Sequence, residues 1–204
     1  MMSQTTLEFD QERSGISCQP AWGGRCLLNV GPWSGVLRQN VPMTEVSEVL
    51  EWDQFGAAAR ELALEVWDSG FKPEIIVCVA RGGLIPAGAI AYALDKKSVL
   101  VLNVEFYTGI GTTLRDPRLV DPVPDNHGMQ GKRVLIVDDV ADSGRTLEFV
   151  RAICEEYTDE IRVAVLYQKS VSIVDCDYVW RRVDGWISFP WSCLPPVTGA
   201  PAKD

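Results

Sequence analysis

With 204 residues, of which 47% are apolar and 23% charged, the chain has material for one domain with a sizeable core and a short appendage. A net charge of −9, from 28 acidic against 19 basic residues and with no basic cluster, excludes a nucleic-acid-binding module; it leaves room for a phosphorylated small molecule, which a few backbone amides and one metal ion can hold. No run reaches the ~18 continuous apolar residues of a membrane span, and the opening Met1-Met2-Ser3-Gln4 lacks the basic-then-apolar order of a signal peptide, so a cytoplasmic protein is expected.

Residues 1–43 carry Gly15, Gly23, Gly24, Gly31, Gly35, Pro20, Pro32 and Pro42, a density of breakers that precludes long helices. Trp22, Trp33 and the run Cys26 to Val30 are too apolar for a plain tail. The expectation is a partly ordered extension ahead of a domain over 44–204. From Phe55, the positions Ala59, Leu62 and Val66 share one helical face, with Asp53 placed to cap the start and Gly70 the end. Ile75 to Ala80 reads as a strand buried on both faces, stopping at Arg81-Gly82-Gly83. Pro86 fits the first turn of a helix running to about Leu94, and Ser98 to Tyr107 is a second strand. Thr108 to Gly131 is a long polar connection; His127, beside Asp125 and Asn126, is read as solvated. Arg133 to Val137 is a third strand, Arg145 to Tyr157 a helix, Arg162 to Tyr167 a fourth strand and Asp177 to Trp180 a short fifth. The six cysteines include no C-x-x-C pair and are expected as free thiols. Strands alternating with helices imply an α/β fold, a mostly parallel sheet with helices on both faces, whose ligands bind beyond the carboxyl ends of the strands.

The most informative stretch is Val134 to Thr146, VLIVDDVADSGRT. A buried strand ends in two adjacent carboxylates, Asp138 and Asp139, and a small-residue loop then opens a helix. Loop amides and a helix N-terminus favour phosphate, Ser143 and Thr146 add hydroxyls, and Gly144 lets the backbone approach closely. Carboxylates so near a phosphate make sense when the ligand also offers hydroxyls or a cation, and a phosphorylated ribose with Mg²⁺ offers both. A receiver domain would place such a strand near its start and lack Asp-Ser-Gly-Arg-Thr. A Walker B strand would need a G-x-x-x-x-G-K-[ST] loop, whereas Gly83 to Gly88 is followed by Ala89-Ile90.

This segment resembles the phosphoribosyl-pyrophosphate signature of type I phosphoribosyltransferases, and the resemblance extends over about residues 45–192. It implies that Asp138 and Asp139 meet the ribose hydroxyls and, with water and substrate, hold Mg²⁺. It implies that Asp142 serves the reacting base and that Asp142, Ser143, Gly144, Arg145 and Thr146 cradle the 5′-phosphate, Arg145 through its backbone. Arg81, Gly82 and Gly83 are implied to bind pyrophosphate; taken alone, Arg-Gly-Gly at a strand end is an ordinary turn. The loop after Glu105 is implied to close over the reactants.

Val165 to Ser170, Asp177 to Trp180 and Trp186 to Trp191 are similar to bacterial xanthine–guanine and hypoxanthine phosphoribosyltransferases. Lys169 is then implied to donate to a purine 6-oxygen, Trp186 to stack on the ring and Ile187 to supply backbone contacts. Core packing for Trp186 and a solvated charge for Lys169 remain the alternatives. Ser192 stands where that family carries an acid. The implied reaction joins a 6-oxopurine to phosphoribosyl pyrophosphate, in a homo-oligomer without nucleic-acid or membrane partners. A pyrimidine or other acceptor, or a non-catalytic sensor of phosphoribosyl pyrophosphate, are the other readings.

Overall fold

The structure, a computed structural model, describes residues 46–108, 115–123, 128–194 and 197. The extension expected over 1–43, with Cys18 and Cys26, lies outside the described residues, as do His127 and parts of the long connection.

Strand β1 (Val46–Val49) leads into helix α1 (Trp52–Asp68), which buries Phe55, Ala58, Ala59, Leu62, Ala63 and Val66 along one stripe. The cap differs from the expectation. Glu51, not Asp53, precedes the first turn, and its N–H donates to Gln54 Oε1 at 3.2 Å. At the other end Ser69 is the cap, and Gly70 follows with φ of 84°. Strand β2 (Ile75–Ala80) matches its predicted bounds, and α2 (Leu84–Ala93) carries Pro86 in its first turn, where a missing N–H costs nothing.

Strand β3 (Val99–Thr108) is followed by β4 (Arg115–Leu119), a strand where only a polar connection was expected. Its sequence RDPRL has a proline and three charges, which argue against a central strand. It pairs antiparallel with β3 at the sheet margin, where proline is tolerated. Strand β5 (Val134–Ala141) also runs four residues past the predicted end at Val137, because Asp138, Val140 and Ala141 pair with the next strand. Helix α3 (Arg145–Glu155), β6 (Ile161–Gln168), β7 (Tyr178–Arg182) and β8 (Trp186–Ser188) complete the order.

The main sheet runs β4-β3-β2-β5-β6-β7, parallel except for β4. Helices α1 and α2 cover one face over Ile76, Cys78, Leu135, Val137 and Leu166, and α3 covers the other over Val77, Ile136 and Val163. Fully burying one such aliphatic side chain contributes about 1.5–3 kcal/mol, so the central strands are fixed from both sides. After β2 the chain builds outward on one side through β3, and from β5 it builds outward on the other. The strand order therefore reverses between β2 and β5, the place where an open α/β sheet leaves a crevice.

Two strands stand apart. Strand β1 pairs in parallel with β8, Val46 facing Trp186 and Glu48 facing Ile187, as a separate two-stranded sheet. Cys78, Cys154 and Cys176 are buried free thiols that burial pushes up to about 12, and Cys193 is exposed. Among the described residues no helix is long and apolar enough to cross a membrane.

Candidate active site

The carboxyl ends of β2 and β5 lie side by side, with Cys78 paired to Val137. The segment leaving β2 therefore meets the acid pair of β5. The contact is close enough to dictate composition. A Cβ on Gly82 would collide with the Asp139 carboxylate, and a Cβ on Gly83 would sit 2.5 Å from Val79 O and 2.6 Å from Val137 O. Backbone on both sides leaves room only for glycine at 83, whereas a side chain at 82 would have to displace the Asp139 carboxylate. The Ala80–Arg81 peptide is cis, and Arg81 is exposed beside the crevice. The segment after β2 and the acid pair, separate in sequence, thus form one surface.

Asp138 is buried and Asp139 half-buried. Burial first, and the neighbouring Asp139 second, raise Asp138 well above the ordinary carboxylate range. Burial also raises Asp139, against hydrogen bonds from the Val140 backbone, Asp138 and the Trp191 side chain. The bond between the two acids raises Asp138 and lowers Asp139, and the two titrate as a pair. The Asp139 N–H donates to Asp138 Oδ1 at 2.9 Å.

Beyond Ala141 the chain bends through Asp142, Ser143 and Gly144 into α3. Gly144 adopts φ of 79°, a conformation that favours glycine, and a Cβ there would lie 2.6 Å from Ser172 Oγ and 2.9 Å from Val174 N. No side chain caps α3, so its first amides face a concavity of about 530 Å³ lined by residues 140–147. Ser143 and Arg145 are exposed at its rim, and Thr146 is half-buried.

The loop between β5 and α3 is braced from behind by residues the sequence did not single out. Ile173 N donates to Ser143 O at 3.0 Å. The segment bearing Ile173 is in turn held by Gln168, whose buried amide donates to Val174 O at 3.2 Å and accepts from Cys176 N at 3.2 Å. The one legible signal was a polar residue closing the apolar run of β6. Lys169, next in the chain, donates through its backbone to Ala141 O and through Nζ to Asp142 Oδ2, both at 3.0 Å. The Lys169 side chain is largely covered, at 16% exposure, and that of Asp142 is open at 62%.

Trp186 and Ile187 are not on the strands that carry the acids but on β8. Trp186 is 56% exposed, and Ile187 is buried in the α1–α2 core. A link to Lys169 exists nearby. Ser170 N donates to Asp184 Oδ1 at 2.8 Å in the turn before β8, and hydrogen bonds from the Ser170 side chain and backbone hold Asp184 below its ordinary range. Ser192 is exposed, while Trp191 before it stacks on Phe189 at 4.9 Å and hydrogen-bonds Asp139. Among the described residues no three potential metal ligands stand together.

A model of the phosphoribosyl transferase domain matches residues 45–196. The xanthine-guanine phosphoribosyltransferase of Gluconobacter oxydans is 33% identical over 156 residues, 76% of this chain and 89% of its own. Among solved structures, a purine phosphoribosyltransferase from Pyrococcus horikoshii superposes with a TM-score of 0.65 at 38% identity, over 73% of this chain and 96% of that one. A protein of Neisseria gonorrhoeae with bound ppGpp does so at 0.62 and 27%, over 71% and 89%.

A carboxyl raised in the folded state adds stability that is fully present below its unfolded value of about 4 and is lost as the pH rises through its folded value. Asp138→Asn keeps an acceptor for Asp139 N–H, and its amide replaces the protonated carboxyl as donor. The variant should melt above wild type at pH 8, by roughly 2–4 °C for each kcal/mol relieved, and the gap should close near pH 4. Scanning fluorimetry at both values tests this; an equal offset at the two would show that the Asp138 charge is not the cause.

Proposed function

The chain belongs to the phosphoribosyltransferase family, and from that premise we propose that it moves the 5-phosphoribosyl group of phosphoribosyl pyrophosphate onto a nitrogen of a 6-oxopurine, releasing pyrophosphate. The observation that carries this reading is the convergence at the β2–β5 reversal, where an amide-rich glycine segment, a buried acid pair and an open helix N-terminus share one crevice.

Asp138 and Asp139 accept from the ribose hydroxyls. Residues 142–146 surround the 5′-phosphate with amides and hydroxyls, and Arg81, Gly82 and Gly83 take the pyrophosphate, Arg81 as a charged fork. Two hard carboxylate donors crowded enough to share a proton fit Mg²⁺, which binds through one or two carboxylates together with water and substrate oxygens. When bound, Mg²⁺ neutralises charge on the departing pyrophosphate. Asp142, exposed and within reach of Lys169, takes the proton that the attacking base nitrogen sheds. Lys169 donates to the purine 6-oxygen, the exposed Trp186 covers the ring, and Ile187 contributes its backbone. Catalysis on this reading is positioning and electrostatics.

Two further assignments follow. Three buried free thiols suit a reducing compartment, and we place the protein in the cytoplasm. A second copy of the chain covers the apolar face of α2 and β3, where Leu84, Ile85, Tyr92, Val99 and Val101 are exposed. Tyr92→Asp with Val101→Asp should then sediment as a monomer while wild type does not; a monomeric wild type removes the assignment.

Asp142→Asn should bind phosphoribosyl pyrophosphate normally and turn over about 10²-fold more slowly, the usual scale for lost general acid–base help. Unchanged turnover in a pyrophosphate-release assay would take Asp142 out of the mechanism.

Lys169 offers donors only, so its partner must accept. Adenine would face it amine to ammonium, and an unpaired buried polar group costs about 1–3 kcal/mol. The kcat/KM for adenine should therefore fall at least ~10-fold below those for hypoxanthine, guanine or xanthine. Lys169→Met should erase most of that preference, and Trp186→Ala should weaken all purines together. Pyrophosphate release across the four bases, with a pyrimidine added, decides the matter: a preference for adenine or the pyrimidine would refute the oxopurine assignment.

A further inference from the structure

We propose that Glu48 is a positioning residue for the purine: its carboxylate clasps the two-stranded β1–β8 sheet onto the main sheet and so sets the height of Trp186 and Ile187 above the phosphoribosyl site. The inference rests on the base-binding reading of β8 given above.

A sheet of two strands, four residues and three, is too small to be stable on its own. Something must hold it to the body. Part of the hold is apolar: Leu50, Ile187 and Phe189 are buried in the α1–α2 core, and Leu50 N donates to Ser188 O at 3.0 Å. Burial of this kind is non-directional and tolerates sliding. The directional part is Glu48, which stands opposite Ile187 in the β1–β8 ladder. Glu48 Oε1 accepts from Arg181 Nη1 on β7 at 2.7 Å and from the Tyr167 hydroxyl on β6 at 3.3 Å. One carboxylate on the small sheet thus joins two strands of the large one.

Both donors are themselves fixed. The Tyr167 ring is fully buried, edge-on to Phe189 at 5.7 Å and to Trp180 at 5.6 Å. Burial, and then the Glu48 charge, push its phenol up, so at neutral pH it remains an O–H donor. The Arg181 guanidinium lies over the Trp180 ring at 4.0 Å, and the Trp180 indole N–H donates to Glu61 Oε2 at 2.8 Å on α1. None of these groups is part of the crevice at the β2–β5 reversal. Glu48 itself lies on β1, paired with the strand that carries Trp186 and Ile187, so its direct effect falls on the base side of the site.

The clasp is tested in the full-length protein with Glu48→Ala, Glu48→Gln and Arg181→Ala, and the double variant Glu48→Ala/Arg181→Ala. Glu48→Ala should raise KM for the oxopurine roughly ten-fold, equivalent to about 1.4 kcal/mol, with KM for phosphoribosyl pyrophosphate within two-fold of wild type. Glu48→Gln, which keeps the acceptor oxygen and loses the charge, should fall between Glu48→Ala and wild type. The double variant should be no worse than the poorer single, as partners in one interaction require. Independently of any base, hydrogen exchange at residues 186–188 should accelerate in Glu48→Ala while β5 and β6 stay protected. A parallel rise in both KM values, or unchanged exchange in β8, would overturn the proposal. Accelerated exchange with an unchanged oxopurine KM would also overturn it, since the clasp would then not serve the base. A wild type that ignores oxopurines is a different failure, that of the base assignment itself, and the exchange experiment separates the two.

Discussion

Two neighbouring carboxylates have been taken out of water at the end of β5, and much of the surrounding structure follows from keeping them there. Burying an ion costs several kcal/mol even after relaxation. The chain reduces that cost in two ways. It raises the pair's hold on a proton, and it surrounds the pair with donors: the backbone N–H groups of Gly83, Asp139 and Val140, and the Trp191 side chain. These donors come from the end of β2, from β5 itself and from the aromatic segment after β8. Three distant stretches must therefore arrive together, and the two glycines must lack side chains, because a methyl at either place would strike the acids or their backbone.

The two halves of the site are supported differently. The phosphate loop hangs from the central strands and is braced by Gln168 through residues 172–176, all within the main sheet and its loops. The strand that carries Trp186 belongs to a separate small sheet, held to the main sheet by a buried apolar cluster and by the bonds of Glu48 to Arg181 and Tyr167. Lys169 sits between these halves, bonded forward to Asp142 and, through its neighbour Ser170, to the turn that leads into β8. The family's matching region, residues 45–196, takes in both halves.

What the sequence made legible was what is local in the chain. Strand, acids, loop and helix follow one another from Val134 to Glu155, so the phosphate half could be read almost residue by residue. β2 and the segment after it were read for the same reason: an apolar run ending in glycines is its own signal. What escaped was fixed by partners far off. β4 carries a proline and charges that suit only an edge, and nothing in RDPRL says that β3 is waiting for it. β8 is three residues long, and β1 lies at the other end of the domain, so neither has a period to detect. Gln168 and Glu48 look like ordinary polar residues until the strands they bridge are in place. That Gly82 lies against Asp139, rather than merely near it, is a matter of strand order, which no motif encodes.

The parallel pairing of β1 with β8 joins the first described strand to the last. Contacts that close so large a loop are formed late in folding, because their entropy must be met before they return any stabilisation. Synthesis imposes the same order from the other direction. A growing chain emerges N-terminus first, and β1 has no strand to pair with until residue 188 has been made. The phosphate loop and its acids, complete by α3, can be assembled around β2, β5 and β6 well before then. Until the two strands meet, the strand that carries Trp186 lacks its partner, and the face it forms waits on a pairing that the phosphate side does not need.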